Sequence, residues 1–406
     1  MGAMEDVHPV LIVGGGLVGA SLALALDRAG VAAAMVEAAP AGAMPAVFDQ
    51  RNLSFADATV NALAALGVMA RLRAPGGAIR RIHVSRSGDF GRARLDAADY
   101  GRERFGQVVV ARDFGEALEA RLVELPRLVR HRPARFLGFA QDGDGVRRVR
   151  IADGGGERVL QARLVVAADG TRSQVRAALG IAADEHDYRQ RLFVARLRTQ
   201  RAPDGIAYER LGDHGPTALL PRGDGAWGLV HGVDEAEVGA VAALDDRAFL
   251  DRVQAAFGWR AGRFLEVGER SVYPAIRVVA QRTTAPRAAL VGNAAQTLHP
   301  IGAQGFNLGL RDALTLAEEI AASDDPGADA ALARYAARRR EDRERTLAFS
   351  DGLARITAND APLLRPLRSL GLLAVDRVPS LQSALAGGAM GYRGDVPALC
   401  RGGDAR

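Results

Sequence analysis

The stretch Val291–Asp312, VGNAAQTLHPIGAQGFNLGLRD, is where residue types and spacing point most directly at chemistry. Small residues (Gly292, Asn293, Ala294, Ala295) end a strand, and His299-Pro300 makes a turn. The glycine loop from Gly302 through Ala303 and Gln304 to Gly305 then leads past Phe306 into a helix beginning near Asn307. Such a loop lets backbone N–H groups approach the flat polar edge of a ligand with no side chain between them. The helix behind it aims its positive end at that edge, worth roughly 0.3–2 kcal/mol to an anion held there. Taken alone, the segment reads first as a tight strand-to-helix turn of any α/β protein. Two other segments change that reading.

The first is Gly14-x-Gly16-Leu17-Val18-Gly19, which follows an apolar run and opens a helix, with Glu37 closing the next apolar run. Gly14 permits the tight turn, Gly16 lets the backbone reach a pyrophosphate, and Gly19 lets helix and strand pack closely. Glu37 accepts hydrogen bonds from a ribose and repels a 2′-phosphate, which favours FAD or NAD over NADP here. The second is Ala168-Asp169-Gly170-x-x-Ser173-x-x-Arg176 after the run Leu164–Ala167. Asp169 or Ser173 also reads as a helix cap, a role compatible with ligand binding.

The elements that must position these residues follow from periodicity. Val7 to Val13 reads as a buried strand, Leu17 to Ala29 as a helix and Val31 to Glu37 as a second strand, the opening βαβ unit of a parallel sheet. Ser54 to Leu66 reads as a helix capped by Ser54, Ile79 to Ser85 as a half-buried strand, and Phe114 to Leu122 as a helix. A polar turn, Asp142-Gly143-Asp144-Gly145, divides short strands. From about Arg189 to Tyr273 the pattern becomes alternating strands, with one helix near Asp245 to Phe257. The fold class is α/β: a GxGxxG dinucleotide-binding domain in three parts (1–78, 101–188, 275–325), strands of an inserted, mostly antiparallel substrate sheet (79–100, 189–274), and a helical C-terminal region (326–406).

Composition narrows the chemistry. The 53 basic residues are all arginine and face 48 acidic ones, for a formal charge of +5. They are scattered among the acids, which argues against a nucleic-acid face. Without lysine there is no P-loop lysine, Schiff base or lysine general base. One cysteine, Cys400, excludes an intrachain disulfide framework and fits a reducing, cytoplasmic setting. The seven histidines lack metal-ligand spacing, so no metal site is expected. The uncharged run Val10–Leu26 carries four glycines and is short for a bilayer span, so strand, turn and helix explain it better.

Together the three motifs resemble the single-component (class A) FAD-dependent aromatic monooxygenases of the para-hydroxybenzoate hydroxylase type, from about Val7 to at least Ala317. The string GNAAQTLHPIGAQGFNLGLRD is similar to the subgroup of ubiquinone-biosynthesis hydroxylases acting on 2-polyprenyl-6-methoxyphenol. So is Ala207-Tyr208-Glu209-Arg210 followed by Gly215-Pro216 and Leu219-Leu220-Pro221. The resemblance implies bound FAD, NADH or NADPH as cosubstrate, O₂, a flavin hydroperoxide as oxygen donor and a prenylated phenol as acceptor. It also implies membership of a ubiquinone-biosynthesis complex. Two departures stand out: Gly292-Asn293 replaces the usual Gly-Asp, removing a charge but keeping an acceptor, and Gly302-Ala303 replaces Ala-Gly.

On this resemblance His299, Pro300 and Gln304 are candidates beside the reacting face, although His299 also reads as a structural turn residue. Arg51, in Phe48-Asp49-Gln50-Arg51, and Arg112 read equally as phosphate or flavin contacts and as surface arginines. Tyr208, Leu220 and Tyr273 are candidates for the phenol pocket, with buried sheet aromatics the equal alternative for the tyrosines. Leu363 to Leu385 mixes leucines with Arg365, Arg368 and Arg377. It reads either as a peripheral contact with the inner membrane or as packing against the FAD domain. Competing readings are a flavin reductase of related fold and a non-catalytic FAD-binding subunit of a quinone-biosynthesis complex.

Overall fold

A computed structural model of the chain describes residues 7–40, 42–43, 49–141, 143, 145–357 and 364–402. Phe48, Asp142, Asp144, Leu363 and the side chain of Arg365 lie outside the described residues. The strand Val7–Val13 is fully apolar at its centre because it is covered on both faces, as parallel strands are. It pairs in parallel with Ala33–Val36 on one side and with the end of Gly156–Ala167 on the other. Leu128–His131 and Ala288–Leu290 extend the sheet in parallel at its two sides. Leu17–Arg28, Ala111–Leu122 and Gly305–Ala321 cover one face, burying Leu22, Phe114 and Leu310. Antiparallel strands Ala134–Phe139 and Arg147–Asp153 build up the other, around Phe136, Val149 and Ile151. Val13, Val36, Ala167 and Leu290 stand in register, so the strands' carboxyl ends open along one edge, where α/β sheets place their ligands.

A second, nine-stranded sheet is antiparallel except where Ile206–Leu211 runs parallel to Arg81–Arg86. Its two faces are sorted by period-2 alternation. Phe193, Ala195, Leu197, Leu219 and Leu229 pack under the helix Asp246–Phe257, against Phe249, Val253 and Phe257. Leu192, Val194, Ala218, Leu220 and Val230 point the other way.

Two local expectations are corrected. Ser54 does not cap a helix: it belongs to the strand Asn52–Ala56, paired antiparallel with Gly106–Val110, and the helix is Asp57–Ala65. The stretch Ile79–Ser85 is split between Gly77–Ile79, in that small sheet, and Arg81–Arg86, in the large one. In both places long-range pairing overrides local pattern.

The helix Gly305–Ala321 is held by buried ions. Arg311, Asp312, Arg339 and Asp342 are each at most 2% exposed. Arg311 donates to both Asp342 oxygens, at 2.7 and 3.1 Å, and Arg339 bridges Asp312 at 2.8 Å and Asp342 at 2.6 Å. Arg339 and Asp342 lie on the long helix Asp329–Thr357. Burial works against the Asp342 charge, but the Arg311 and Arg339 guanidiniums outweigh it and hold its pKa below the ordinary 3.8. A depressed folded pKa means the stabilisation is complete above that value and is lost as pH falls through the folded one. Asp342→Asn leaves two buried guanidiniums short of counter-charge and is expected to cost about 3–5 kcal/mol, read as a lower urea midpoint at neutral pH. The variant should also lose part of the parent's fall in stability below about pH 4. An unchanged midpoint would show that these ions do not hold the helix.

Candidate active site

Contacts between their backbones and small side chains bring the three motifs together. Gly14 has φ +105°, and a Cβ there would meet the Ala168 carbonyl oxygen at 2.5 Å, so only glycine lets the first turn touch the second. Gly292, at φ +58°, packs against Val18, where a Cβ would come within 2.8 Å of Cγ2. Arg176, buried, donates to the carbonyls of Ala294 and Thr171, both at 2.9 Å, and ties the second motif to the third. Thr297 and Thr171 hydroxyls bond at 2.9 Å beside it. Gly19 is packing only: a Cβ there would lie 1.9 Å from the Gly14 carbonyl oxygen.

Around these contacts lies a cavity of about 1370 Å³, larger than the roughly 300–1,000 Å³ of an ordinary small-ligand pocket. Gly14, Gly16, Leu17, Val18, Glu37, Asp169 and Gly170 line its polar end. Glu37 is fixed by N–H donors from Gly15 and Ala39, each at 2.7 Å. Asp169 accepts from the Val175 N–H through Oδ2 at 3.1 Å, while its buried Oδ1 has no partner among the described residues. Ser173 caps the short helix through Arg176 N–H. Asn293, Pro300, Gly302, Ala303, Gln304, Gly305, Phe306 and Asn307 line the middle.

Asn307 uses its whole amide. Its Oδ1 accepts from Ala56 N–H and Thr59 Oγ1, both at 2.8 Å, and its Nδ2 donates to the Ser54 and Ala303 carbonyls, both at 2.9 Å. The helix begins at Gly305, and its first residues, Gly305, Phe306 and Asn307, line the cavity. Gly302 and Ala303 both take left-handed backbone, φ +72° and +51°, so the exchanged Gly-Ala order places a side chain where glycine is ordinarily favoured.

The large sheet forms the apolar end, through Leu192, Val194, Ala207, Ala218, Leu220 and Val230. Tyr208 is not there. It pairs with Leu219, and both face the helix side, where Tyr208 packs against Trp227 and Phe257. The pleat makes Tyr208 and Leu220 alternatives: if Leu220 faces the cavity, the residues facing it from the neighbouring strand are Ala207 and Glu209. Sequence reasoning passed over Glu209, and the alternation around Leu220 was the signal that pointed to it.

Tyr273 does line the cavity, with its hydroxyl donated to Asp49 Oδ2 and its ring 4.2 Å from the Arg51 guanidinium carbon. Arg51 also lines the cavity and is doubly bonded to Asp49. Arg112 lies outside the lining; its side chain is exposed and its N–H donates to the Asp49 carbonyl. His299 is buried behind the loop. Its Nδ1 accepts the Ile301 N–H at 3.1 Å, its ring meets Tyr188 edge-on, and burial lowers its pKa to about 4, leaving it neutral. That is the geometry of a turn residue.

Comparison with known proteins agrees with this architecture. Residues 7–350 match the family model described as an FAD binding domain. The chain is 35% identical to ubiquinone hydroxylase UbiL of Rhodospirillum rubrum, over 99% of this chain and 94% of that one. It is 29% identical to 3-demethoxyubiquinol 3-hydroxylase of Escherichia coli, over 92% and 96% of the two chains. In fold it superposes on p-nitrophenol 4-monooxygenase PnpA of Pseudomonas putida with a TM-score of 0.79 at 22% identity, covering 96% of this chain and 100% of that one. The chain thus belongs to the family of this FAD binding domain, on the branch of FAD-dependent aromatic monooxygenases that includes these ubiquinone hydroxylases.

Proposed function

We propose that this protein hydroxylates the ring of a polyprenylated phenol with NAD(P)H and O₂, as a step of ubiquinone biosynthesis. One observation carries the reading: a single cavity joins the dinucleotide cradle around Gly14 and Glu37 to an apolar sheet face around Leu192 and Leu220. The names of the relatives support the pathway.

The residues fit FAD. The Gly14–Gly16 backbone is bare, Glu37 is oriented as an acceptor, and the unpartnered Asp169 Oδ1 awaits a donor, which a polyhydroxylated ligand supplies. When bound, FAD supplies the redox chemistry, taking two electrons from NAD(P)H and activating O₂. The chain's own residues bind and orient. Gly14, Gly16 and the start of Leu17–Arg28 would hold the pyrophosphate of a bound FAD, and Glu37 would accept from its ribose. The first N–H groups of Gly305–Ala321 would favour negative charge on the cofactor. Gln304 donates to the Gly302 carbonyl at 3.1 Å and keeps the loop in shape. Leu192, Val194, Leu220 and Val230 exclude water and orient an aromatic ring.

The apolar end is capped by the C-terminal helix Pro379–Met390, with the helix Leu364–Arg377 packed beside it. Ala386 and Met390 pack with Ile82, Phe105 and Leu220, and Ala389 lines the cavity. Outside, Leu367, Leu370, Val378 and Leu381 are exposed, with Phe90 exposed as well. No described helix is long and apolar enough to cross a membrane. The exposed leucines instead suit a membrane-surface contact through which a prenyl chain enters. Arg368 has no part in it, since it is turned inward near Asp89.

Purified protein loaded with FAD should oxidise NAD(P)H and consume O₂ when given a prenylated phenol, and release the hydroxylated ring. Absence of NAD(P)H oxidation with any prenylphenol, alone or with partner proteins, would return the non-catalytic subunit. Glu37→Ala removes a charged acceptor and should weaken FAD roughly 10- to 100-fold, equivalent to about 1.4–2.8 kcal/mol, measured by titrating the apoprotein with the flavin. Substituting Leu367, Leu370 and Leu381 together by Asp should release the protein from phosphatidylethanolamine–phosphatidylglycerol vesicles in co-sedimentation while leaving its melting temperature unchanged. Equal pelleting of variant and parent would remove the membrane contact from the reading.

A further inference from the structure

Among the described residues through which the large sheet lines the cavity, one is a carboxylate. Glu209 follows Ala207 on the strand Ile206–Leu211 and lines the same cavity. Its cross-strand neighbours in register are Ala218 on one side and Val84 on the other. Next along its own face is Leu211, which packs with Ile301, Val84 and Leu353, so Glu209 stands between the substrate end of the cavity and the Pro300–Ile301 turn. It makes no hydrogen bond to any described residue. Half-buried, it opens only onto the cavity. Once a ligand displaces the water there, a carboxylate without a partner is costly, and Ala207, Ala218 and Val84 beside it show that an aliphatic side chain fits. Retaining an acid there implies a donor that arrives with the substrate.

The charged and titratable groups nearby are otherwise engaged. Arg86, which shares this face on the neighbouring strand beside Leu211, is paired with Asp213 and Asp89. Tyr208 and Arg210 alternate to the opposite face, where Arg210 donates to the Ala256 carbonyl and His83 packs on the Tyr208 ring. Beyond Leu211, Tyr188 bonds Asp351, which also pairs with Arg355, and His299 is neutral. Elsewhere on the cavity wall, Arg51 and Tyr273 are both bonded to Asp49 behind them. Burial alone raises the Glu209 pKa, to about 7.

We propose that Glu209 is a catalytic residue, its carboxylate accepting the hydrogen bond and then the proton of the substrate's ring hydroxyl. This rests on the reading of the protein as a phenol hydroxylase. The phenolic O–H bond breaks, the proton passes to a Glu209 carboxylate oxygen, and the electron pair stays on the ring oxygen. Electron density rises at the ortho and para carbons, one of which forms a C–O bond to one oxygen atom of O₂. The O–O bond breaks, and the other atom leaves as water with two electrons from NAD(P)H. Loss of the proton from that ring carbon restores aromaticity, and that proton restores the ring hydroxyl. The proton on Glu209 returns to solvent with product release.

The test compares the FAD-loaded parent with Glu209→Gln, which keeps size and polarity and, having no buried charge, should melt no lower than the parent. In the parent, kcat on a prenylated phenol should rise with pH through about 7, since protonated Glu209 cannot take the proton. In the variant kcat should fall about 100-fold or more, and the rise should vanish. Binding gives a readout without turnover. At about pH 8.5, where both 4-nitrophenol and Glu209 are ionised, the pair must gain a proton to associate. The parent should therefore take up close to one proton per 4-nitrophenolate bound, and the variant none. A variant with the parent's kcat and pH profile overturns the assignment. If the parent hydroxylates no prenylated phenol, the functional reading fails separately, and proton uptake alone decides: uptake lost in the variant supports Glu209 as a proton acceptor, and no uptake in the parent overturns it.

Discussion

The site depends on where the helix Gly305–Ala321 starts and how firmly it is held. Its N-terminus is useful to a ligand only if the backbone donors there are neither capped by a side chain nor free to fray. Gln304 and Gly305 supply no cap, so the restraint comes from further along the helix. Asn307 staples the first turn to the Asn52–Ala56 strand and the Asp57–Ala65 helix, and Arg311 and Asp312 lock the second turn into the buried ion network with Arg339 and Asp342. Gln296 donates to Asp312 and accepts from Arg343, carrying the same network back to the strand that leads into the loop. The Gly-Leu-Arg-Asp end of the third motif thus acts on the cavity through position rather than contact.

Charge is treated differently at the two ends of the cavity. At the polar end the acids have been given backbone donors, Glu37 two N–H groups and Asp169 one, and behind the wall Asp49 holds the Arg51 fork. These donors hold the carboxylates in place, which suits recognition of a cofactor that must not move. At the sheet end donors are withheld, and Glu209 is left to solvent and to whatever binds. The first environment fixes a carboxylate and the second raises its basicity, the pairing of environments by which one fold separates binding from proton transfer.

How much of this was legible follows from how local each signal is. Gly14, Gly16, Asp169, Gly302 and Gly305 announce themselves because backbone requirements are written in neighbouring residues, and the structure brings all of them to one cavity. The parallel sheet was legible in the runs Val10–Val13 and Leu164–Ala167 for the same reason. Ser54 was misread because nothing near it reveals its pairing with Val108, more than fifty residues away. Tyr208 was chosen over Glu209 because an aromatic looks like a pocket residue, whereas the face it occupies is decided by the strand beside it. The partners of Arg311 and Asp312 were out of reach, since Arg339 and Asp342 come from another helix.

The lack of lysine sharpens the electrostatics. Every cation is a guanidinium, which stays charged when buried and offers a planar fork to carboxylates. The structure uses that property repeatedly: Arg51 on Asp49, Arg311 and Arg339 on Asp342, Arg176 on two carbonyls. An ammonium at Arg339 could not span Asp312 and Asp342 with the same fixed geometry, and burial would push it toward losing its charge. Arginine therefore tolerates the dry interior that places the helix, and none of these guanidiniums is bonded to Glu209. Among the described residues lining the apolar end, the group able to exchange a proton near neutral pH is then the carboxyl that burial has made basic.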